Sequence, residues 1–126
     1  MEIGSIVVNS FNPSKMEGIK VELWINDAKG DGKEELIGEG ETDGGGFVCF
    51  EIEKNKKDQN RIAKLIFHKV NQFYPLIALS FFVDIQEGNI LNTLLVSQFS
   101  YNVTYQILEK RKELKYQNQV ENLSYL

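Results

Sequence analysis

The sequence has few of the residues that build most catalytic and metal centres. It contains one cysteine, Cys49, and one histidine, His68. A single cysteine excludes an intrachain disulfide, and one histidine with one cysteine is too few for a zinc site of nitrogen and sulfur ligands. We therefore interpret Cys49 as a small core residue and His68 as a surface or satisfied core residue of a strand.

The sequence also lacks a basic excess and a long apolar run. Its 126 residues carry a net charge of −4, which gives no electrostatic basis for nucleic-acid binding. The longest apolar run, YPLIALSFFV at 74–83, is far too short to cross a bilayer as a helix, so we expect no membrane insertion.

Localisation is predicted from the amino terminus. If Met1 is the native start, no signal peptide precedes the first strand, and a cytoplasmic location is expected. An exported or extracellular assembly without a classical signal peptide is also consistent with this start. Secretion is the alternative if a signal peptide was removed.

The dominant pattern is an alternation of apolar and polar residues with a period of two. In IKVELWI at 19–25, four aliphatic side chains fall on one face while Lys20, Glu22 and Trp24 fall on the other, which is typical of a half-buried strand. Runs rich in Gly, Asn, Asp and Pro separate such segments and predict turns. Further strands are predicted at 3–8, 36–42, 47–53, 62–70, 76–85, 90–99 and 101–108.

Seven or eight strands at this spacing predict an all-β fold, an antiparallel immunoglobulin-like sandwich. We place this sandwich at residues 1–108. Residues 109–126, EKRKELKYQNQVENLSYL, form a polar C-terminal extension without Gly or Pro, either a short helix or a mobile tail. Strands 76–85 and 90–99 are apolar on both registers, which suggests that a covering element or another subunit lies against them.

A glycine-rich stretch, GEGETDGGGFVCFEIE at 38–53, resembles a ligand loop at first sight. A phosphate-binding loop needs a Lys-Ser/Thr pair that opens a helix, whereas these glycines lead directly into a strand. A hairpin turn explains the residues better, because Asp can accept local backbone hydrogen bonds and Gly can take a positive φ. The predicted structural turn consists of Thr42, Asp43, Gly44, Gly45 and Gly46.

With the segments IGSIVV, GIKVELW and IGEGETDGGGFVCFEI in order, residues 3–53 resemble the transthyretin-like (prealbumin-like) and carboxypeptidase-regulatory-like sandwich modules. The matching positions are Gly18, Val21 and Leu23 in the second segment and Thr42, Asp43, Gly46, Phe47 and, with the spacing shifted by one residue, Phe50 in the third. The resemblance implies a fold well and a function poorly, because such modules occur in many unrelated proteins.

The resemblance also allows two enzyme classes to be tested against the sequence. Hydroxyisourate hydrolases need several histidines, an arginine and a C-terminal Tyr-Arg-Gly-Ser, but this chain has one histidine and ends in ENLSYL. Intradiol dioxygenases need two tyrosines and two histidines around iron. We therefore expect no enzymatic activity, no catalytic residues and no cofactor.

Calcium is the one metal that the sequence leaves open. In the 26–39 loop, Asp27 and Asp31 stand at the first and fifth positions of an EF-hand-like pattern. Lys29 and Gly38 occupy the third and twelfth positions, where oxygen ligands belong. A solvated loop is the simpler interpretation, and a loose calcium site is the alternative.

The resemblance implies a non-enzymatic structural or interaction module, a component or adaptor of a larger assembly such as a bacterial injection or surface machine. A secreted or surface adhesion or carbohydrate-binding module is the alternative. The expected partners are other proteins or further copies of the chain. Aromatic side chains with a polar group suit such contacts. The predicted interaction residues are Trp24, Tyr101, Tyr105, Leu114 and Tyr116.

Overall fold

The structure is a computed structural model that describes residues 1–10, 14–27, 33–52, 60–84, 88–98 and 100–108. These residues form nine β-strands. The strands are β1 (Glu2–Asn9), β2 (Ser14–Lys15), β3 (Lys20–Asp27), β4 (Glu34–Glu41), β5 (Phe47–Glu51), β6 (Asn60–His68), β7 (Leu76–Asp84), β8 (Asn89–Val96) and β9 (Tyr101–Leu108).

The strands form two sheets. The first sheet has the order β2-β1-β8-β9, with β5 also paired to β1, and the second has the order β4-β3-β6-β7. The predicted all-β sandwich is therefore confirmed. The ninth strand is the two-residue β2, which is too short to leave a periodic signal in the sequence.

One pairing differs from the purely antiparallel arrangement that we predicted. Strands β1 and β8 run parallel, in a register that extends from Ile3 opposite Ile90 to Asn9 opposite Val96. Alternation within a strand specifies which side chains face the core, but it does not specify the direction of the neighbouring strand. The parallel direction of β1 and β8 therefore could not be predicted from the alternation pattern.

The core lies between the two sheets and is built from the alternating inward-facing side chains. A smaller apolar cluster of Ile6, Val8, Phe47 and Leu91 lies on the opposite face of the first sheet, so β1 and β8 are buried on both faces. The fully buried side chains of the main core include Ile3, Val7, Val21, Leu23, Leu65, Phe67, Ile77, Val83 and Leu94.

The predicted turn residues, Thr42–Gly46, connect β4 of the second sheet to β5 of the first, so the stretch is not the hairpin that we predicted. Asp43 Oδ1 accepts backbone N–H groups from Gly45 at 2.8 Å and Phe47 at 3.1 Å. Gly46 has a φ of 71°, and its N–H donates to the carbonyl of Asp43 at 2.9 Å. Thr42 is 3% exposed, and its hydroxyl oxygen accepts the N–H of Ile19 at 2.9 Å.

The two sides of the sandwich differ. On one side β4 lies against β5. On the other side β7 and β9 are the last strands of their sheets. Phe81 of β7 and Tyr105 of β9 are tilted with ring centroids 6.2 Å apart, and Tyr74, just before β7, meets Tyr101 of β9 edge to face at 5.4 Å. We call this second side the open edge.

Candidate functional site

The most distinctive polar contact joins the single histidine to a carboxylate. His68 Nε2 is hydrogen-bonded to Oε2 of Glu22 across the β3–β6 pair. Lys20 lies directly opposite His68, so Glu22 is its diagonal neighbour on the same face of the second sheet. The two side chains are 30% and 16% exposed, which leaves the imidazole reachable from solvent while Glu22 is mostly buried.

The surroundings of the pair are charged. Beside it, Lys20 Nζ lies 3.6 Å from Oε2 of Glu39, and both of these side chains are about half exposed. A carboxylate bound to one imidazole nitrogen fixes the orientation of the ring. Our interpretation of His68 as a surface or satisfied core residue did not include this contact.

A cleft of about 460 Å³ lies at the end of the sandwich where β6 meets β7 and β8 meets β9. Asn71 organises it: its Oδ1 accepts the N–H groups of Phe73 and Tyr74, each at 2.8 Å, and its Nδ2 donates to the carbonyl of Ser97 at 3.2 Å. The described residues that line this loop-end cleft are Asn9, Met16, Asn71, Gln72, Phe73, Val96, Ser97 and Gln98.

The cleft offers neutral polar groups rather than charges. Four of its described lining residues carry carboxamides, and Phe73 adds an aromatic ring that is 45% exposed. Carboxamides both donate and accept hydrogen bonds, so the cleft suits a molecule with neutral N–H and C=O groups. His68 ends β6, three residues before Asn71, but neither His68 nor Glu22 lines the cleft, and the pair lies on the outer face of the second sheet.

The structure does not bring the predicted interaction residues together. Trp24 lies half-buried on the outer face of the second sheet, and its Nε1 has no hydrogen-bond partner among the described residues. Tyr101 and Tyr105 lie on β9 at the open edge and are 40% and 52% exposed. Leu114 and Tyr116 fall outside the described residues.

Other predicted sites also have a place in the structure. Cys49 is half-buried on β5, on the face of the first sheet that points away from the main core. Residues 28–32 of the suggested calcium loop fall outside the described residues. Within the described part of the chain, no three His, Cys, Asp or Glu side chains group as a metal site would require.

The Glu22–His68 pair could not be predicted from the sequence pattern. The two residues are 46 positions apart, and only their place on the polar register of two predicted strands was visible. Asn71 lies between the predicted strands 62–70 and 76–85, and we assigned it no role from the sequence. A periodic pattern predicts a face of a strand, but it does not predict which strands become neighbours.

Comparisons with known proteins identify the fold. No family model and no curated protein matches the chain. Transthyretin from Sparus aurata has a similar structure, with a TM-score of 0.70 over 85% of this chain and 97% of that one, at 16% sequence identity. The 5-hydroxyisourate hydrolase of Klebsiella pneumoniae has a TM-score of 0.64 over 83% of this chain and 97% of the hydrolase, at 10% identity.

A third similar structure is an (S)-allantoin synthase, with a TM-score of 0.62 over 82% of this chain and 43% of the synthase, at 19% identity. The chain therefore has a transthyretin-like fold, as the resemblance of residues 3–53 implied. This fold is compatible with a homo-oligomer, one of the two kinds of partner expected from the sequence. Among the described residues no helix is long and apolar enough to span a membrane.

The comparisons overturn our functional expectation. The prediction of a non-enzymatic assembly component, and with it the prediction that the chain is not an enzyme, is wrong, because two of the similar structures are enzymes. We had assumed that this fold serves as an accessory module, whereas one fold hosts both binding and catalytic sites. The comparisons give no support to an adhesion or carbohydrate-binding module either.

Proposed function

We propose that the chain is an enzyme that uses His68 and Glu22 as an acid–base pair on a small, neutral substrate. The observation that carries the proposal is the hydrogen bond between the only histidine and a mostly buried carboxylate. The loop-end cleft, lined in part by the connection that follows His68, is a cavity of suitable size for a small substrate. The two enzymes with the same fold support catalysis as a general possibility for this architecture.

In the proposed reaction each atom of the pair has a role. When the ring is neutral, its Nε2–H donates to Glu22, so Nδ1 carries the lone pair and is the atom that accepts a proton. In hydrolysis Nδ1 would take a proton from an attacking water molecule and return it to the leaving group. Glu22 would hold the ring in this tautomer and stabilise the imidazolium, as an oriented carboxylate does in other hydrolases.

The lining of the loop-end cleft indicates the class of substrate. Carboxamides recognise amide-like N–H and C=O groups, and the exposed ring of Phe73 can pack on a flat heterocycle. A cyclic amide fits both features. One similar structure is a 5-hydroxyisourate hydrolase, so 5-hydroxyisourate is the first compound to test. Catalysis would depend on a different residue set, because this chain has a single histidine.

The test is the ultraviolet absorbance of freshly generated 5-hydroxyisourate with and without the protein. We expect the wild type to accelerate its loss and His68→Gln to lower kcat by about 100-fold or more, the size of a general-base contribution. Glu22→Gln should lower kcat with little change in KM. Phe73→Ala should mainly raise KM, because the ring contacts substrate but not the reacting bond.

Lys20→Gln is the matched control, since Lys20 is next to the pair but bonded to Glu39. It should leave kcat within about twofold of the wild type. A protein that does not change the decay of 5-hydroxyisourate would refute this substrate. A His68→Gln protein as active as the wild type would refute the acid–base role.

A further inference from the structure

A second cavity lies at the open edge of the sandwich, distinct from the His68–Glu22 pair and the loop-end cleft. It has a volume of about 330 Å³ and opens between β7 and β9. We call it the edge cleft. Its described lining residues are Ala78, Leu79, Ser80, Phe81, Asn92, Val103 and Tyr105.

The inner wall of the edge cleft carries a buried amide without a partner. Asn92 lies on the inward face of β8 and is 2% exposed, and its Nδ2 makes no hydrogen bond among the described residues. Ser5 lies opposite it on β1, is 1% exposed, and its hydroxyl is likewise unpaired. Buried polar groups in folded proteins nearly always have a hydrogen-bond partner, and of these two residues Asn92 lines the cleft, so its Nδ2 is placed to donate to a ligand there.

The outer walls are apolar and aromatic. Phe81 of β7 and Tyr105 of β9 face each other with ring centroids 6.2 Å apart and planes inclined at 45°. Leu79 and Val103 complete the apolar surface beside them. The described lining residues include no charged side chain, so a charged ligand would lose its hydration without gaining an ion pair.

We infer that the edge cleft binds a neutral, largely apolar molecule that carries one carbonyl-type acceptor. The Asn92 Nδ2 group donates to that acceptor at the inner end, while the ring or chain of the ligand packs between Phe81 and Tyr105. The volume accommodates one or two fused rings. This site is independent of the proposed enzymatic activity, because it shares no residue with the His68–Glu22 pair or the loop-end cleft.

The test uses prodan, a neutral naphthyl ketone whose emission moves to the blue in apolar surroundings. We expect the full-length wild type to bind it in a saturable way. Asn92→Leu keeps the side-chain volume but removes the donor, so its Kd for prodan should rise about fivefold, the equivalent of one neutral hydrogen bond. The compound that corresponds to prodan without its ketone should bind wild type and Asn92→Leu equally well.

Two variants on one strand provide the matched comparison. Tyr105→Ala should weaken prodan binding about tenfold, because it removes an aromatic wall of the cleft. Ile107→Ala changes a similarly exposed apolar residue on the same face of β9, outside the cleft, and should leave binding within twofold. Equal losses in the two variants would show nonspecific adsorption to β9 and refute the site.

A direct readout does not depend on any variant. The side-chain NH₂ resonances of Asn92 should move on addition of prodan and stay in place on addition of the ketone-free compound. Unshifted Asn92 resonances at saturating prodan would overturn the inference. Equal prodan affinity of Asn92→Leu and wild type would overturn it as well.

Discussion

Three glycine-to-alanine substitutions near the β4–β5 turn separate two contributions to the free energy of unfolding. One is the cost of a positive φ for alanine, and the other is the cost of a steric clash of its Cβ. Gly46 has a φ of 71°, and an added Cβ would lie 2.5 Å from the backbone oxygen of Val7. Gly18 has a φ of 79° but free space for a Cβ. Gly44 has neither restriction, since its nearest neighbour would be a flexible side-chain oxygen of Glu17 at 4.0 Å.

The magnitudes follow from these distances. A left-handed backbone costs a non-glycine residue about 1–2 kcal/mol, which is the loss expected for Gly18→Ala. In Gly46→Ala the clash adds to that cost, because Val7 donates its N–H to the carbonyl of Gly46 at 2.8 Å and accepts the N–H of Met16 at 2.9 Å. Displacing Val7 weakens both bonds, each worth about 1 kcal/mol, so we expect a loss of about 3 kcal/mol or more.

Gly44→Ala should be neutral or stabilise the protein by up to about 1 kcal/mol, because alanine restricts the unfolded chain. The assay is urea unfolding followed by the fluorescence of Trp24, with equal m-values required across the series. A Gly46→Ala protein no less stable than Gly18→Ala would refute the steric contribution. A destabilised Gly44→Ala protein would refute the expectation that alanine is tolerated at this position and restricts the unfolded chain.

Three further stability measurements use other contacts. Thr42→Val should cost about 2 kcal/mol in urea unfolding, because it leaves the buried N–H of Ile19 unpaired; a loss equal to that of an exposed Thr→Val change would contradict this. Phe67→Ala, at a fully buried core position, should cost about 3–5 kcal/mol, and a loss below about 1 kcal/mol would place Phe67 outside the core. A double-mutant cycle on Lys64 and Glu34, joined at 2.7 Å but partly exposed, should give a coupling of no more than about 1 kcal/mol that weakens with salt.

Local features of the chain were readable without the structure. The alternation in 19–25 predicted that Val21, Leu23 and Ile25 face the core, and all three are buried. The positive φ of Gly46 is a local property of the same kind, but the prediction of a hairpin was wrong because β4 and β5 lie in different sheets. Each of these properties depends on residues that are close in sequence, so a single segment contains the necessary information.

The functional expectation failed for a different reason. We inferred the absence of catalysis from the absence of known motifs, and a motif search detects only residue sets that other families already use. The Glu22–His68 hydrogen bond joins two strands that are distant in sequence. A histidine and a glutamate on the polar faces of two strands form a chemical site only when the strands pair in a register that brings the two side chains together.

The sequence by itself determined the strand periodicity, the inward face of the strand at 19–25 and a sandwich of the transthyretin-like kind. The tertiary structure alone decided the parallel β1–β8 pair, the contact of His68 with Glu22 and the position of Asn92 in the edge cleft. The physical reason is that backbone hydrogen bonds between strands are almost independent of side-chain identity. Strand order and register therefore emerge only when all the apolar faces are buried together.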